Sequence, residues 1–254
     1  MSSLLTFVVQ LIYPPKCRGC GTRFDIFRQP HPLPLCPSCL DAWARAKAAR
    51  CSACSGEISA CDCMPELLQK AGSAALVKAV AYHPNQTELP ERLILRCKGL
   101  RDRELFRFFA SDVQLPLWQA LARVGGEQNA VVTYIPRRRR AVAEEGVDQG
   151  YELARALGRS LELPVLKTLQ NKGKTAQKTL DHAERQAQAD TAIRLRKTTT
   201  DAVRGKTVVL VDDITTAGAT LAAATRQLLD AGATQVVCCV VGVTANAAGG
   251  KEIP

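Results

Sequence analysis

The sequence predicts an α/β protein with a mostly parallel sheet, preceded by a small cysteine-rich module. Residues 207–211 and 235–243 are continuous apolar runs rich in Val, which is typical of parallel strands that are buried on both faces. Residues 221–232 lie between these runs and have the apolar spacing of a helix, so the three segments predict a strand–helix–strand unit. Eight cysteines fall in close pairs between Cys17 and Cys63, which distinguishes this region from the rest of the chain.

Length and charge limit the possible organisation and partners. The chain has 254 residues, of which 46% are hydrophobic, and its formal net charge is +10 at pH 7. This length predicts a full domain and a smaller one, which we place at residues 66–254 and 1–65. The positive charge favours anionic partners, either phosphorylated metabolites or nucleic acid, and does not distinguish between them.

The first residues bear on the expected cellular location. Residues 3–13 are apolar, but they have no basic start and no cleavage site, so we expect a short buried helix and not a signal peptide. No apolar run reaches the ~18 residues that a membrane span needs. We therefore expect a cytoplasmic protein without membrane insertion.

The paired cysteines predict structural zinc. The candidate ligands are Cys17, Cys20, Cys36, Cys39, Cys51, Cys54, Cys61 and Cys63. The first two pairs have the C-x-x-C spacing of a site in which four thiolates hold Zn²⁺ tetrahedrally, and a reducing compartment favours metal over disulfides. The last pair is less typical, because a single residue separates its cysteines. Two sites of four ligands, sequential or interleaved, are possible, and one site beside unligated thiols is the alternative.

The region between the cysteines and residue 207 predicts further strands and helices. We expect strands at residues 74–82, 130–136 and 164–169, and helices at residues 89–100, 103–123 and 149–161. Pro116 should interrupt the second helix, because proline lacks the N–H that an interior helix position donates. We expect residues 66–125, with part of 164–195, to form a hood over the sheet.

The clearest chemical signal follows the strand at residues 207–211. Asp212 and Asp213 stand at its carboxyl end, where open α/β sheets place their ligands, and burying acids without a partner is costly. The small-residue loop comes next and consists of Thr215, Thr216, Ala217, Gly218, Ala219 and Thr220. Because this loop opens a helix, its free N–H groups and hydroxyls can bind a phosphate while the carboxylates accept from ribose hydroxyls. The stretch resembles the ribose-phosphate loop of type I phosphoribosyltransferases, with Ala217 where a threonine is common.

Two basic segments are candidates for binding pyrophosphate. Arg137, Arg138, Arg139 and Arg140 follow the strand predicted at residues 130–136, which places them on the same sheet edge as the two aspartates. Runs of arginine are also common on solvated or nucleic-acid-facing surfaces. Lys172 and Lys174 flank Gly173, a composition that predicts a mobile basic loop able to close over a charged reaction centre.

In this order the motifs resemble the ComF family of competence or DNA-utilisation proteins, over nearly the whole chain. The matching segments are residues 82–84, 95–99, 136–140, 145–149 and 175–180, together with the small-residue loop. The resemblance implies an N-terminal zinc module joined to a type I phosphoribosyltransferase-like domain. Glu145, Val147 and Asp148 stand where the family has Arg, Phe and Asn. The two acids would repel a pyrophosphate unless Mg²⁺ bridges them.

The resemblance implies two functions of different classes. The first is an enzyme that binds Mg²⁺ and phosphoribosyl pyrophosphate and transfers the phosphoribosyl group to a nitrogen nucleophile. Asp212 and Asp213 would then hold the ribose hydroxyls, the small-residue loop the 5-phosphate, and the arginine run with Lys172 and Lys174 the departing pyrophosphate. The second is a non-catalytic accessory protein of natural competence that binds single-stranded DNA and works with a helicase-like partner. A pure interaction protein without a ligand is a third alternative, against which the intact acid pair argues.

Overall fold

A computed structural model describes residues 13–25, 33–84, 88–97, 101–173 and 192–244. The strands are β1 Ala75–Tyr82, β2 Ala130–Tyr134, β3 Leu169–Asn171, β4 Ile193–Leu195, β5 Thr207–Thr215 and β6 Gln235–Thr244. The central sheet is parallel throughout and has the order β1, β6, β5, β2, whereas β3 and β4 form a separate antiparallel pair. The structure confirms the α/β class and the parallel sheet that the sequence predicts.

The described residues contain eight α-helices. They are α1 Pro37–Lys47, α2 Glu66–Lys70, α3 Leu89–Arg96, α4 Arg103–Arg123, α5 Arg139–Glu145, α6 Gln149–Ser160, α7 Thr200–Val203 and α8 Ala219–Asp230. The longest helix, α4, begins after Asp102, whose side chain accepts a hydrogen bond from the N–H of Leu105 at 3.3 Å. This aspartate satisfies one of the N–H groups that have no partner at a helix start.

Helices cover both faces of the sheet and create two apolar cores. Successive strand residues point to opposite faces, so Val209 and Val211 enter a core with α1, α3, α4 and α6. Val208 and Leu210 enter the other core with α2, α8 and the β3–β4 pair. Since β5 is buried on both sides, its apolar run follows directly from its central place in the sheet.

Pro116 does not interrupt the long helix, contrary to the sequence prediction. α4 runs from Arg103 to Arg123 with Pro116 inside it. Residues on both sides of the proline are fully buried, among them Val113 and Leu117. Tertiary packing of this face stabilises the helix by more than the lost hydrogen bond destabilises it.

The strand predicted at residues 164–169 is shorter than expected and lies later in the chain. Val165 forms only an isolated parallel bridge with Val132 of β2, through hydrogen bonds of the Val132 N–H to Pro164 O and of the Leu166 N–H to Val132 O. The chain then leaves the sheet edge, and β3 pairs with β4 instead. This pair stands beside β5 and α8 and narrows the space above the carboxyl edge of the sheet.

The cysteine-rich segment packs directly on the helices beside the sheet. The Trp43 ring stacks on Phe109 with a centroid distance of 5.5 Å, and its indole N–H donates to Asp112 at 3.1 Å. Arg18 Nη2 lies 3.1 Å from a carboxylate oxygen of Glu104. As a result, side chains of this segment belong to the same apolar core as α4 and α6.

Several predicted segments lie outside the described residues. They are residues 3–12 of the helix expected at 3–13, residues 98–100 of the helix expected at 89–100, Lys174 and the family-like stretch at residues 175–180. Within the described part of the chain, none of the helices combines the length and the apolar character required to cross a bilayer.

Candidate ligand cleft and metal centres

The two aspartates lie at the end of the central strand. β5 extends beyond the predicted end at residue 211 and carries Asp212 and Asp213 to the carboxyl edge of the sheet. Each carboxylate accepts from the backbone N–H of the next residue, Asp212 Oδ1 from Asp213 at 2.9 Å and Asp213 Oδ1 from Ile214 at 2.8 Å. These local hydrogen bonds fix one oxygen of each carboxylate in place.

Asp212 occupies a place that disfavours its negative charge. Part of its side chain faces the cleft, but the surrounding protein dominates its environment, and burial raises the pKa of Asp212 well above its usual range. Repulsion from Asp213 raises this pKa further, and Asp148 acts in the same direction. A ligand that supplies hydroxyl donors or a cation would stabilise the ionised form.

Gly218 allows the small-residue loop to turn sharply into α8. Its φ angle is 80°, a left-handed conformation that glycine adopts at little cost. A β-carbon at this position would lie 3.2 Å from Cβ of Pro65 and 3.6 Å from Cβ of Leu68. Both backbone conformation and close packing therefore require glycine. α8 begins at Ala219, and the N–H groups of its first turn are available to an anion.

A cleft of about 320 Å³ lies between this loop, the β3–β4 pair and the start of the arginine run. It is lined by Arg138, Asn171, Ala192, Ile193, Asp212, Ile214, Thr215, Thr216, Gly218, Ala219 and Thr220. The structure thus brings one arginine, one of the two aspartates and most of the small-residue loop to a single cavity. Among the described residues, the predicted site residues Arg137, Arg139, Arg140, Lys172, Asp213 and Ala217 are not part of this lining.

The arginine run is divided among different environments. Arg137 forms a bidentate ion pair with Glu145, with one contact of 2.9 Å from Nη2 to Oε1. Arg140 pairs with Glu144 one helical turn away at 2.7 Å. Of the four arginines, Arg138 lines the cleft, whereas Arg137 pairs with Glu145 and the last two belong to α5. The binding of pyrophosphate by the whole run stays a prediction.

Two of the departures from the ComF pattern have structural roles. Asp148 caps α6, where its carboxylate accepts a hydrogen bond from the Tyr151 N–H at 3.4 Å. Asn and Asp are both preferred at this position, which explains how an Asp can replace the family's Asn. Burial raises the pKa of Asp148. Val147 is buried in the core beside α4 and α6, a place that suits any apolar side chain of fitting size.

Asn171 is a cleft residue that the sequence analysis did not select. Its side-chain amide donates to Pro136 O at 3.2 Å, and its Oδ1 accepts from the Gly173 N–H at 3.0 Å. It therefore connects the end of β2 to the predicted basic loop. Its position next to Lys172 was the available signal, whereas Ala192 and Ile193 carry no chemical signal. The Lys172 N–H donates to Ala192 O at 2.7 Å, and Lys174 lies outside the described residues.

The eight paired cysteines form two sequential clusters. The first cysteine cluster is Cys17, Cys20, Cys36 and Cys39, and the second is Cys51, Cys54, Cys61 and Cys63. Within each cluster the four sulfur atoms lie within 4.8 Å of one another. Tetrahedral Zn²⁺ with ~2.3 Å bonds to sulfur needs sulfur–sulfur distances of about 3.8 Å, so small shifts would complete either site. Of the alternatives left open by spacing, the structure favours two sites over one and the sequential arrangement over the interleaved one.

The thiols of each cluster differ in their pKa values. A hydrogen bond with the Thr22 hydroxyl lowers the pKa of Cys20 to about 6. Burial raises the pKa of Cys51, but backbone N–H groups of Ala53 and Cys54 outweigh this effect and lower it to about 7. Burial and neighbouring thiols raise the pKa of Cys63 to about 12. Four thiols at such distances ionise together only when a bound metal offsets their repulsion, and zinc fits this donor set.

Comparisons with known proteins agree with this geometry. Residues 141–253 match the phosphoribosyl transferase domain family. This part of the chain is a phosphoribosyltransferase-type domain. It includes β5, the small-residue loop and α8, the elements that build the cleft. No curated protein sequence matches the chain.

Several solved structures are similar to parts of the chain. An adenine phosphoribosyltransferase has a TM-score of 0.38 and 18% identity, covering 56% of this chain and 72% of its own. A Trypanosoma cruzi hypoxanthine phosphoribosyl transferase has a TM-score of 0.35 and 14% identity, and the match covers 59% of this chain and 71% of that protein. An allosteric regulatory enzyme of purine biosynthesis has a TM-score of 0.31 and 23% identity, covering 44% of this chain, which spans only 22% of that enzyme.

Proposed function

We propose that the phosphoribosyltransferase-type domain binds Mg²⁺ and phosphoribosyl pyrophosphate and transfers the phosphoribosyl group to a nitrogen nucleophile. The ribose hydroxyls donate to Asp212 and Asp213, and the 5-phosphate binds the N–H groups and hydroxyls of the small-residue loop. Arg138 contacts the pyrophosphate, with Lys172 and Lys174 approaching it from the predicted basic loop. The observation that carries the proposal is that a half-buried carboxylate, repelled by its neighbour, and a helix N-terminus line the same cleft.

The donor set of the cleft suits Mg²⁺, which prefers oxygen ligands and keeps several waters. Asp212 lines the cleft and Asp213 is adjacent to it, and both are oxygen donors at the carboxyl edge of the sheet. Bound Mg²⁺ would supply charge neutralisation for the pyrophosphate. As the ribosyl carbon becomes positive, the two carboxylates would stabilise that charge, and Arg138 would stabilise the negative charge of the departing group.

The wider context of this function is also a proposal. We propose that the chain is a ComF-type protein with a zinc module at residues 1–65 and a phosphoribosyltransferase-like domain at residues 66–254. Because β1 is a strand of the central sheet, residues 66–125 do not form a hood as a whole. The thiol clusters suit a reducing compartment such as the cytoplasm. A helicase-like partner and a role in the uptake or use of DNA rest on the resemblance alone.

A second candidate function, binding of single-stranded DNA, is favoured by a groove between α4 and α6. Four arginines line a cavity of about 240 Å³ there: Arg103, Arg107, Arg155 and Arg159. The lining contains one acid, Glu152, which pairs with Arg101 at 2.5 Å and with Arg155 at 3.6 Å. The groove continues to Trp118, which is 42% exposed. Guanidinium groups next to an exposed indole suit phosphates and a stacked base.

The test is calorimetric titration of Mg²⁺–phosphoribosyl pyrophosphate into zinc-replete protein, with and without a short single-stranded DNA. We expect binding in the micromolar range, and a variant carrying Arg107→Gln and Arg159→Gln should keep it while losing affinity for DNA. Absence of binding by folded, zinc-replete protein would refute the proposed transferase function. DNA binding without that ligand would leave the second candidate, with the domain acting as a scaffold.

A further inference from the structure

Lys78 is a charged residue in the middle of the edge strand β1. It is only 2% exposed, and its neighbours in the strand are buried and mostly apolar. Its Nζ donates to the backbone carbonyl oxygens of Cys61 and Cys63, both at 2.7 Å. Within the part of the chain that the structure describes, no carboxylate forms an ion pair with this ammonium group. The buried ammonium group of Lys78 is therefore hydrogen-bonded to the backbone of the second cysteine cluster.

Burying an ammonium group is costly unless negative charge lies close to it. Carbonyl dipoles offset part of that cost, and the same backbone carries two cysteines of the second cluster, which become thiolates when they bind a metal. Four thiolates around one Zn²⁺ leave a net negative charge. The ammonium and the metal-loaded cluster thus stabilise each other, and the two hydrogen bonds orient the segment that supplies two of the four ligands.

The same segment leads directly to the ligand cleft. Cys63 is followed by Met64 and Pro65, and Pro65 packs against Gly218 in the small-residue loop. Leu68, three residues later, is fully buried in the core that contains α8. The position of the loop is therefore set partly by a chain segment that begins at two metal ligands.

We infer that the second cysteine cluster, when loaded with zinc, holds the small-residue loop in position, and that Lys78 fastens this cluster to the sheet as its counter-charge. The cluster would then act on ligand binding without touching the ligand. The part of this inference that concerns ligand affinity rests on the proposed function, whereas the parts that concern zinc and loop order do not.

The role of Lys78 is tested by Lys78→Met, which keeps the length and removes the charge. We expect one of the two zinc ions per chain to leave this variant about 10 to 100 times faster than it leaves wild type. A chromogenic chelator measures the release rate. Lys70→Met is the matched control, because Lys70 is exposed on α2 and pairs with the exposed Glu66. Equal release rates for wild type and a folded Lys78→Met protein would overturn the inference.

The action on the loop is tested by comparing Cys63→Ser with Cys20→Ser. Each should lose one zinc ion, but only Cys63→Ser should speed amide hydrogen exchange at residues 215–220 and weaken binding of Mg²⁺–phosphoribosyl pyrophosphate about tenfold. Unchanged exchange in Cys63→Ser, or an equal effect of Cys20→Ser, would contradict the inference. If wild type binds no ligand, the proposed function fails, and the exchange measurement still decides whether the cluster supports the loop.

Discussion

The second cysteine cluster and the aspartate pair both hold like ionisable groups close together, but they are built for different partners. The four thiols lie close enough together to supply the four ligands of a tetrahedral metal site. Asp212 and Asp213 each fix one oxygen on the local backbone and lie at the edge of an open cleft. In the function that we propose, a permanently bound metal would remove the repulsion in the cluster, and a reversibly bound ligand would remove the repulsion at the aspartates.

We therefore expect the cysteine cluster to act on folding and the aspartate pair to act on ligand binding. A closed ligand set belongs to the folding of the module, so its loss should unfold part of the chain. A pair of carboxylates at an open cleft should lower the stability of the unliganded protein. It should also increase the affinity for a ligand that offsets the repulsion between the carboxylates. The predictions below test whether the two sites differ in this way.

The largest effect is expected from removal of zinc. Chelation should make the cysteine-rich segment sensitive to proteases up to about residue 65, because zinc binding supplies roughly 10–16 kcal/mol to the folding of comparable small modules. Mass spectrometry of the fragments after limited trypsin digestion would locate the cleavage sites. We expect the sheet of β2, β5 and β6 to stay protected. Protection of the cysteine-rich segment after complete metal removal would contradict the structural role of the clusters.

A smaller effect, opposite in sign for stability and binding, is expected for the double variant Asp212→Asn and Asp213→Asn. Loss of two charged hydrogen bonds should weaken binding of phosphoribosyl pyrophosphate at least about 100-fold. The melting temperature should rise by a few degrees at neutral pH, because asparagine removes the repulsion and the burial of charge. Calorimetry and thermal unfolding measure the two effects, and retained affinity in the folded variant would refute the site assignment.

The pH dependence of the stability difference between wild type and this variant shows the direction in which the pKa of Asp212 is shifted. Since burial raises the pKa of Asp212, the folded protein binds its proton more tightly than the unfolded chain does. Wild-type stability should therefore fall, relative to the variant, as the pH rises from the ordinary carboxyl range through the raised pKa. Below that range the difference should stop changing with pH. A stability difference that does not depend on pH would show that Asp212 is not perturbed by its surroundings.

The smallest effect concerns the arginine run. Glu145→Gln removes the partner of Arg137 and an acid near the cleft, so affinity for pyrophosphate should increase about threefold. Glu144→Gln is the control, because Glu144 pairs with the exposed Arg140 on the outer face of α5. Pyrophosphate titration of both variants gives the comparison. Equal affinities would mean that Arg137 takes no part in the site even when it is released.

Much of the fold is predictable from short segments. The apolar runs of β5 and β6 and the helix between them are recognisable because a buried parallel strand has no polar face. The course of α4 through Pro116 is not, since it depends on packing against distant residues. The same holds for Asn171, whose role arises from contact with Pro136, 35 residues earlier.

The sequence by itself determined the chemistry of this protein: pairs of thiols for a metal, two acids after a buried strand, and a small-residue loop before a helix. Those features are local, and neighbours along the chain are enough to create them. Only the tertiary structure decided how they combine. It divided the cysteines into two sequential clusters, assigned Arg138 and not its neighbours to the cleft, and placed Lys78 against the second cluster. These arrangements depend on contacts between segments that are distant in the sequence. Such contacts form because the segments bury apolar surface in a shared core, which the local pattern does not specify.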